Sequence, residues 1–449
     1  MKLPDRIHFV GIGGIGMSAL ATVLQEDGHR ISGSDLSLGP LAKRLAARGA
    51  QLYEGHAAAN IGDAQLVVVS AAIPADNPEL EAARAAGIPI IKRGALLGQL
   101  MAGRRGIAVA GTHGKTTTSA MIAHILLEAG EDPTFLVGGV IRGLDTNARR
   151  GAGPWLVAEA DEYDRSFLHL APEIAVITNV EADHLDLYRD LAEIRAAFRQ
   201  FARQVRSRLI LCWDDPWLRG WHWEETGCAV DTYGLAGGTW RAEAITLEGS
   251  SSQFRLAGDH ALTVRLAVPG RHNVQNALGA LAATSAAGVA VETAAAALER
   301  FRGAKRRLEP VGEANGVLVI DDYSHHPTEI RVALAALRVA YPRRRIVCLH
   351  QPHTFSRTKL LLPEFATAFG EADLVRIADI YPARERDVWG IRAADLAAAI
   401  QHPDVRATGS VEESAAAVAA ELRPGDVLAL IGAGDISRAA GLVLERLTR

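Results

Sequence analysis

The chain has 449 residues, too many for one ordinary hydrophobic core, so two or three domains are expected. Its 49% hydrophobic and 22% charged content is globular rather than disordered, and 48 basic against 52 acidic side chains leave a formal net charge of -4, which argues against a generic nucleic-acid binder. An anionic ligand must then be held by local Lys and Arg, because the overall field does not attract it.

The start runs directly into a strand-like Ile7-His8-Phe9-Val10, and Asp5 and the following glycines interrupt any signal-peptide core. No apolar run approaches the ~18–20 residues of a membrane span. A cytoplasmic protein without membrane insertion is expected, as monomer or homodimer. Cys212, Cys228 and Cys348 are widely spaced and form no CxxC pair, so they read as free thiols rather than a zinc site.

In chain order, residues 7–10, 29–32, 65–70 and 88–91 read as buried strands, with helices over 17–27, 41–48 and 79–86 between them. Such alternation implies a parallel sheet covered on both faces. A strand at 106–110 then enters a glycine loop and a helix from about 116 to 129. Strands follow at 155–159 and 174–178, short alternating runs at 208–269, and a helix at 273–288. The Arg-rich stretch 301–310 ends in proline and reads as a hinge. Beyond it, strands at 316–321, 346–349, 374–377 and 427–431 form a third α/β unit. The expected division is 1–102, 103–309 and 310–449.

Gly11-Ile12-Gly13-Gly14-Ile15-Gly16 fits G-x-G-x-x-G between a strand and a helix. Glycines there allow a tight turn and bring backbone N–H groups to a diphosphate at a helix N-terminus. Asp35, about twenty residues on, stands where a carboxylate accepts bonds from a ribose or base. The loop specifies a diphosphate nucleotide without saying which. An NAD-dependent oxidoreductase and a ligand-free turn remain as alternatives.

Gly111-Thr112-His113-Gly114-Lys115-Thr116-Thr117-Thr118 is a shortened P-loop, G-x-x-G-K-T, because residue 109 is Val. Its backbone amides wrap phosphates, Lys115 neutralises β/γ oxygens and the Thr116 hydroxyl ligates Mg²⁺. Two nucleotide loops in separate domains weaken the oxidoreductase reading and favour a ligase that consumes ATP. Glu159, at the end of an apolar strand, and Asn179-Val180-Glu181-Ala182-Asp183-His184 after the next one read as a hard-cation site. A solvated acidic loop is the alternative for each alone.

Together with His272-Asn273-Val274-Gln275-Asn276, Asp321-Asp322-Tyr323-Ser324-His325-His326-Pro327, Gln351-Pro352-His353 and Gly432-Ala433-Gly434-Asp435, these segments resemble the Mur ligases of peptidoglycan synthesis over nearly the whole chain. The resemblance implies an α/β fold of three domains: a Rossmann-like N-terminal domain for a UDP-sugar, a central P-loop ATPase and a Rossmann-like C-terminal domain for the amino acid. It implies ATP and Mg²⁺, with Mn²⁺ as a substitute. It further implies UDP-N-acetylmuramate and L-alanine as substrates, with a recycled-tripeptide ligase as the nearest rival.

By the same resemblance, the ATP-binding set is Gly111, Thr112, His113, Gly114, Lys115, Thr116, Thr117, Asn273, Asn276, Arg307 and Asp322. The asparagines read adenine; the alternative for Asn273 is a helix N-cap. Thr116, Glu159 and His184 take metal, and Lys115, His184 and Arg307 are catalytic. Gly11, Gly13, Gly14, Gly16, Asp35, His56, Ser70 and Arg93 are UDP-sugar candidates. Tyr323, His325 and Arg357 form the amino-acid pocket, with Arg357 on the carboxylate. Two departures stand out. Residues 185–205 contain no lysine, where several relatives carry a carbamylated one, and Thr354 follows Gln-Pro-His where the alanine-adding branch tends to have a basic residue.

Overall fold

The computed structural model describes residues 3–258 and 262–448 and contains three sheets in succession. The first is all parallel: β1 (Arg6–Val10), β2 (Arg30–Asp35), β3 (Gln51–Glu54), β4 (Leu66–Val69) and β5 (Ile90–Lys92), in the order β3-β2-β1-β4-β5. The second holds ten strands: β6 (Arg105–Ala110), β7 (Thr134–Ile141), β8 (Thr146–Arg149), β9 (Trp155–Glu159), β10 (Ile174–Ile177), β11 (Arg208–Cys212), β12 (Ala229–Gly234), β13 (Trp240–Glu248), β14 (Ser251–Leu256) and β15 (Thr263–Leu266). Its order is β15-β14-β13-β12-β11-β10-β6-β9-β7-β8. The third contains β16 (Glu309–Ala314), β17 (Val317–Asp322), β18 (Ile346–His350), β19 (Leu374–Ala378), β20 (Val405–Gly409) and β21 (Val427–Ile431), ordered β16-β17-β21-β18-β19-β20.

The central strands are parallel because their residues bury both faces. Ile107, Ala108, Val109 and Ala110 of β6 are all fully buried, and such runs need helices above and below. In each of the first two sheets the chain order reverses beside one strand, β1 and β6 respectively. Ligands of open α/β sheets bind beyond the carboxyl end of such a strand. Both glycine loops lie there.

The sequence reading missed β3, β7, β8, β16 and β20. Strand β7 was hidden by Gly138-Gly139, which in isolation reads as a turn. The glycines instead let the strand pass close to the site. A Cβ on Gly138 would lie 2.6 Å from both carboxylate oxygens of Glu159, and one on Gly139 would lie 2.9 Å from the Thr116 methyl.

One continuous apolar core runs through the first two sheets and their helices. The helix Arg93–Ala102 packs against the segment Tyr163–His169, and only glycine fits at Gly98, where a Cβ would collide with the His169 carbonyl. The third sheet has a separate apolar cluster on each face. The segment ahead of it is held in a costly conformation: Arg306 and Leu308 sit at φ 58° and 46°. The Arg306 N–H donates to Glu309 and the Leu308 N–H to Asp322, both at 2.8 Å. Among the described residues no helix is long and apolar enough to cross a membrane.

Candidate active site

Strand β6 delivers its chain into the P-loop, where Gly111 and Gly114 adopt φ 136° and 80°. A Cβ on Gly111 would overlap the Thr178 hydroxyl, so the glycine is required by the packing of the loop on residues 178–181. The Asn179 side chain accepts from the His113 N–H at 2.8 Å. Gly114 caps the helix Lys115–Glu128, whose first-turn amides carry the partial positive charge that suits a phosphate. The Lys115 ammonium donates to both oxygens of Glu162, at 2.8 and 3.0 Å. Burial opposes the charge on Lys115, but Glu162, Asp161 and Glu159 outweigh it and raise its pKa.

A cavity of about 420 Å³ lies in front of this loop and is lined by all three domains. Gly14, Gly16, Ser70 and Arg93 face it from the first, Lys115, Thr116, Glu159 and His184 from the second, and Tyr323, His325 and Arg357 from the third, with Arg307 beside them. Thr116, Glu159 and His184 thus face one space, and a hydroxyl, a carboxylate and an imidazole form a donor set suited to Mg²⁺ or Mn²⁺.

Four UDP-sugar candidates lie outside that lining. Asp35 accepts from the Gly13 N–H at 2.8 Å, so its carboxylate braces the glycine loop itself. Gly11 supports the same turn at φ 89°. His56 bonds Ser34 at 3.1 Å in a buried polar knot around Glu79, which accepts from Ser34 and Asn60 and lies 3.5 Å from His8.

A second cavity, of about 290 Å³, continues behind the P-loop and is lined by His113, Gly114, Thr117, Asn273, Asn276, Arg307 and Asp322. The N-cap alternative for Asn273 does not hold: Gly270 caps the helix Arg271–Ala286, and the Asn273 amide donates to the Pro269 carbonyl at 2.7 Å. Asp322 accepts from the N–H groups of Leu308 and Ser324. Arg307 lies 3.7 Å from Glu329, whereas Lys305 reaches Asp145 and Arg306 reaches Asp321. Of the three basic residues, only Arg307 lines the cavities.

At the far end of the larger cavity, Arg357 is already engaged. It donates to Asp183 at 2.8 and 3.0 Å and to the His353 carbonyl at 2.6 Å. His325 is largely enclosed beside it, and desolvation followed by the charge of Arg357 holds its pKa well below the usual imidazole value. In the neutral tautomer with Nδ1–H donating to the Tyr323 carbonyl at 3.1 Å, Nε2 is an acceptor.

Three family models cover most of the chain: Mur ligase family, catalytic domain, over residues 6–105; Mur ligase middle domain over 109–284; and Mur ligase, glutamate ligase domain over 306–434. The chain belongs to the Mur ligase family. Among curated relatives, this Mur ligase is 46% identical to a UDP-N-acetylmuramate–L-alanine ligase of Roseiflexus sp. (strain RS-1), with 98% of each chain covered. It is 45% identical to the enzyme of the same name from Oleidesulfovibrio alaskensis, with 96% of each covered. Among solved structures it resembles the UDP-N-acetylmuramate-alanine ligase of Thermotoga maritima at a TM-score of 0.84 and 31% identity, covering 98% of both chains. A murein peptide ligase from Psychrobacter arcticus superposes at 0.75 and 28% identity, covering 99% of both.

In this Mur ligase several site residues escaped the sequence reading. Glu162, three residues beyond Glu159, holds Lys115. Asp214 lines the smaller cavity, together with Asn179, which the sequence places in a cation loop, and with His272 and Gln275, whose segment carries the resemblance without a role for them. Arg384 lines the larger one, over the Tyr163 ring at 4.2 Å and 3.7 Å from Asp186. Thr354, at the departure noted above, is tied by its hydroxyl to Glu385, the neighbour of Arg384.

Proposed function

We propose that this chain joins L-alanine to the lactyl carboxylate of UDP-N-acetylmuramate, with cleavage of ATP to ADP and phosphate through an acyl phosphate. The observation that carries the reading is the single cavity in which the P-loop lysine, the Thr116–Glu159–His184 donor set and residues of both outer domains face one another. The whole-length likeness to alanine ligases supports L-alanine over the recycled tripeptide. The paired glycine loops are then divided between a UDP-sugar and ATP, which leaves no role for a nicotinamide.

In this reading the smaller cavity takes the adenosine, with Asn273 and Asn276 on the base and Asp322 toward the ribose. The triphosphate reaches forward through Gly111–Gly114 to Lys115 and Arg307. Thr116, Glu159 and His184 would hold Mg²⁺, which supplies charge neutralisation at the γ-phosphate when bound. Lys115 and Arg307 add fixed positive charge where the transferring phosphoryl group gains negative charge. The muramate carboxylate enters from the Ser70–Arg93 side. On the opposite side, neutral His325 presents an acceptor nitrogen to the free amine of alanine and takes its proton as the N–C bond forms at the acyl carbon and phosphate leaves. Arg357 and Arg384 provide cations for the amino-acid carboxylate. Closure of the third domain over the cavity excludes water, which would hydrolyse the acyl phosphate.

The test is phosphate release from ATP with UDP-N-acetylmuramate and, separately, L-alanine, glycine, L-serine or the recycled tripeptide. Release that depends on both the sugar nucleotide and L-alanine is expected. Release that responds to the tripeptide and not to L-alanine would move the chain to the rival branch.

A further inference from the structure

One cluster of metal-ligating side chains stands apart from the Thr116–Glu159–His184 set, although its His113 belongs to the phosphate loop. His113 of the P-loop, Glu181 after β10 and His326 at the N-cap of the helix Pro327–Ala340 bring a ring nitrogen or carboxylate oxygen each within 4.8 Å of one another. Two of them belong to the central domain and the third to the C-terminal domain. We propose that this cluster is a second metal site, selective for a borderline divalent ion such as Zn²⁺, that fastens the C-terminal domain to the P-loop.

Each ring has one nitrogen held by an outer oxygen acceptor and the other turned toward Glu181. His113 Nδ1 lies 3.3 Å from Glu329, which leaves Nε2 facing Glu181 at 3.4 Å. His326 Nε2 lies 3.2 Å from the Ala182 carbonyl and donates to it, which leaves Nδ1 facing the same Glu181 oxygen at 3.8 Å. Each imidazole is therefore oriented through its outer nitrogen by an oxygen acceptor, the arrangement that fixes metal-binding histidines. A lone pair on His113 Nε2 aimed at a carboxylate oxygen is repulsive unless a cation lies between them. In the metal-free protein a proton shared between His113 Nε2 and Glu181, 3.4 Å apart, fills that place. A metal ion displaces that proton and the weak 3.3 Å bond from the Thr328 N–H to His326 Nδ1.

Two imidazoles favour Zn²⁺ or Co²⁺ over Mg²⁺. The cluster is also separate from Thr116, Glu159 and His184, which line the larger cavity, while His113 and Glu181 line the smaller one. Glu181 is 37% exposed at its side chain, so the site is open to an entering ion and keeps a position for a fourth ligand.

Co²⁺ reports such a site by visible absorption, independently of which substrates the enzyme uses. The full-length protein is titrated with Co²⁺ in excess Mg²⁺. One equivalent should bind with the intense band of a four-coordinate N/O site. His326→Asn, which keeps an N-cap residue, should lose the band and weaken binding more than about 100-fold, while Glu329→Gln, which removes only the outer acceptor, should weaken it about 10-fold. His184→Ala should keep the band. Zn²⁺ should slow turnover of the wild type and not of His326→Asn. No band in the wild type, or a band that survives His326→Asn and vanishes in His184→Ala, overturns the proposal. Should His326→Asn fail to fold, Glu181→Gln is read in its place by the same criteria.

Discussion

The contact between Asp183 and Arg357 offers a direct measure of how firmly the third domain is held over the site. Both side chains are nearly buried, at 8% and 9% exposure, and two guanidinium nitrogens converge on one carboxylate oxygen. Burial alone would raise the Asp183 pKa, but Arg357 pulls it well below the usual carboxylate range. Removing one partner of such a pair strands the other, at a cost of about 3–5 kcal/mol. Asn at 183 keeps one acceptor oxygen, so the lower end applies. Because the pair spans two domains, the cost falls on the closed arrangement, and about 3 kcal/mol is a factor of roughly 100 in its population. Asp183→Asn should therefore lower kcat/KM for phosphate release by about two orders of magnitude. Small-angle scattering of the variant with UDP-N-acetylmuramate and a non-hydrolysable ATP analogue should show a larger radius of gyration than the wild type. Scattering identical to the wild type, with kcat/KM within about threefold, would refute the assignment of this pair to closure.

Lys115→Ala should abolish turnover, by about 10²-fold or more, while titration calorimetry finds UDP-N-acetylmuramate affinity nearly unchanged. Gly138→Ala drives a methyl group into the Glu159 carboxylate, 2.6 Å from the ideal Cβ, so the Mg²⁺ concentration for half-maximal rate should rise; an unchanged Mg²⁺ requirement would detach Glu159 from the metal. His325 is held neutral at pH values well below the usual 6.5, so the rate, corrected for the fraction of free amine, should show no acid limb near that value. An inflection there, lost in His325→Gln, would contradict the depressed pKa. Glu79 is fully buried; burial pushes its pKa up, but bonds from His8, Ser34 and Asn60 bring it from 4.5 down to about 2. The sign for a depressed carboxylate is a contribution present above pH 4.5 and lost as pH falls through about 2. Glu79→Gln should thus cost about 3 kcal/mol in urea unfolding at pH 7 and much less near pH 2.

Much of the architecture was legible because it rests on local pattern. Fully apolar runs such as Ile107–Ala110 can only be interior parallel strands once helices alternate with them, and a glycine loop after such a run is positioned by the topology. What escaped was set by contacts distant in sequence. Gly138-Gly139 looks like a turn until Glu159 and Thr116 are placed beside it. Glu162 gives no signal of its role, since an acid after Glu159-Ala160-Asp161 acquires meaning only from the ammonium it faces. Arg384 belongs to the cavity because Tyr163 and Asp186 of another domain receive it.

The first glycine loop shows why a pattern and a ligand are different inferences. Asp35 stands where the dinucleotide fingerprint wants an acid, yet its carboxylate accepts from the Gly13 N–H. A Cβ on Gly13 would lie 2.8 Å from the Ser37 carbonyl oxygen and 2.9 Å from that same carboxylate. Glycine is therefore demanded at this position by the packing of the loop against β2 and the turn after it, whatever nucleotide binds. In the proposed scheme the ligand-specific information would lie instead in Ser70 and Arg93, one after β4 and one opening a helix, which face the larger cavity. Arg93 also pairs with Asp161 at 2.7 Å, two residues beyond Glu159. That bond couples the proposed sugar-nucleotide side of the cavity to the strand end that carries a proposed metal ligand, so an anion that engages Arg93 would also act on the segment that positions Glu159 and Glu162.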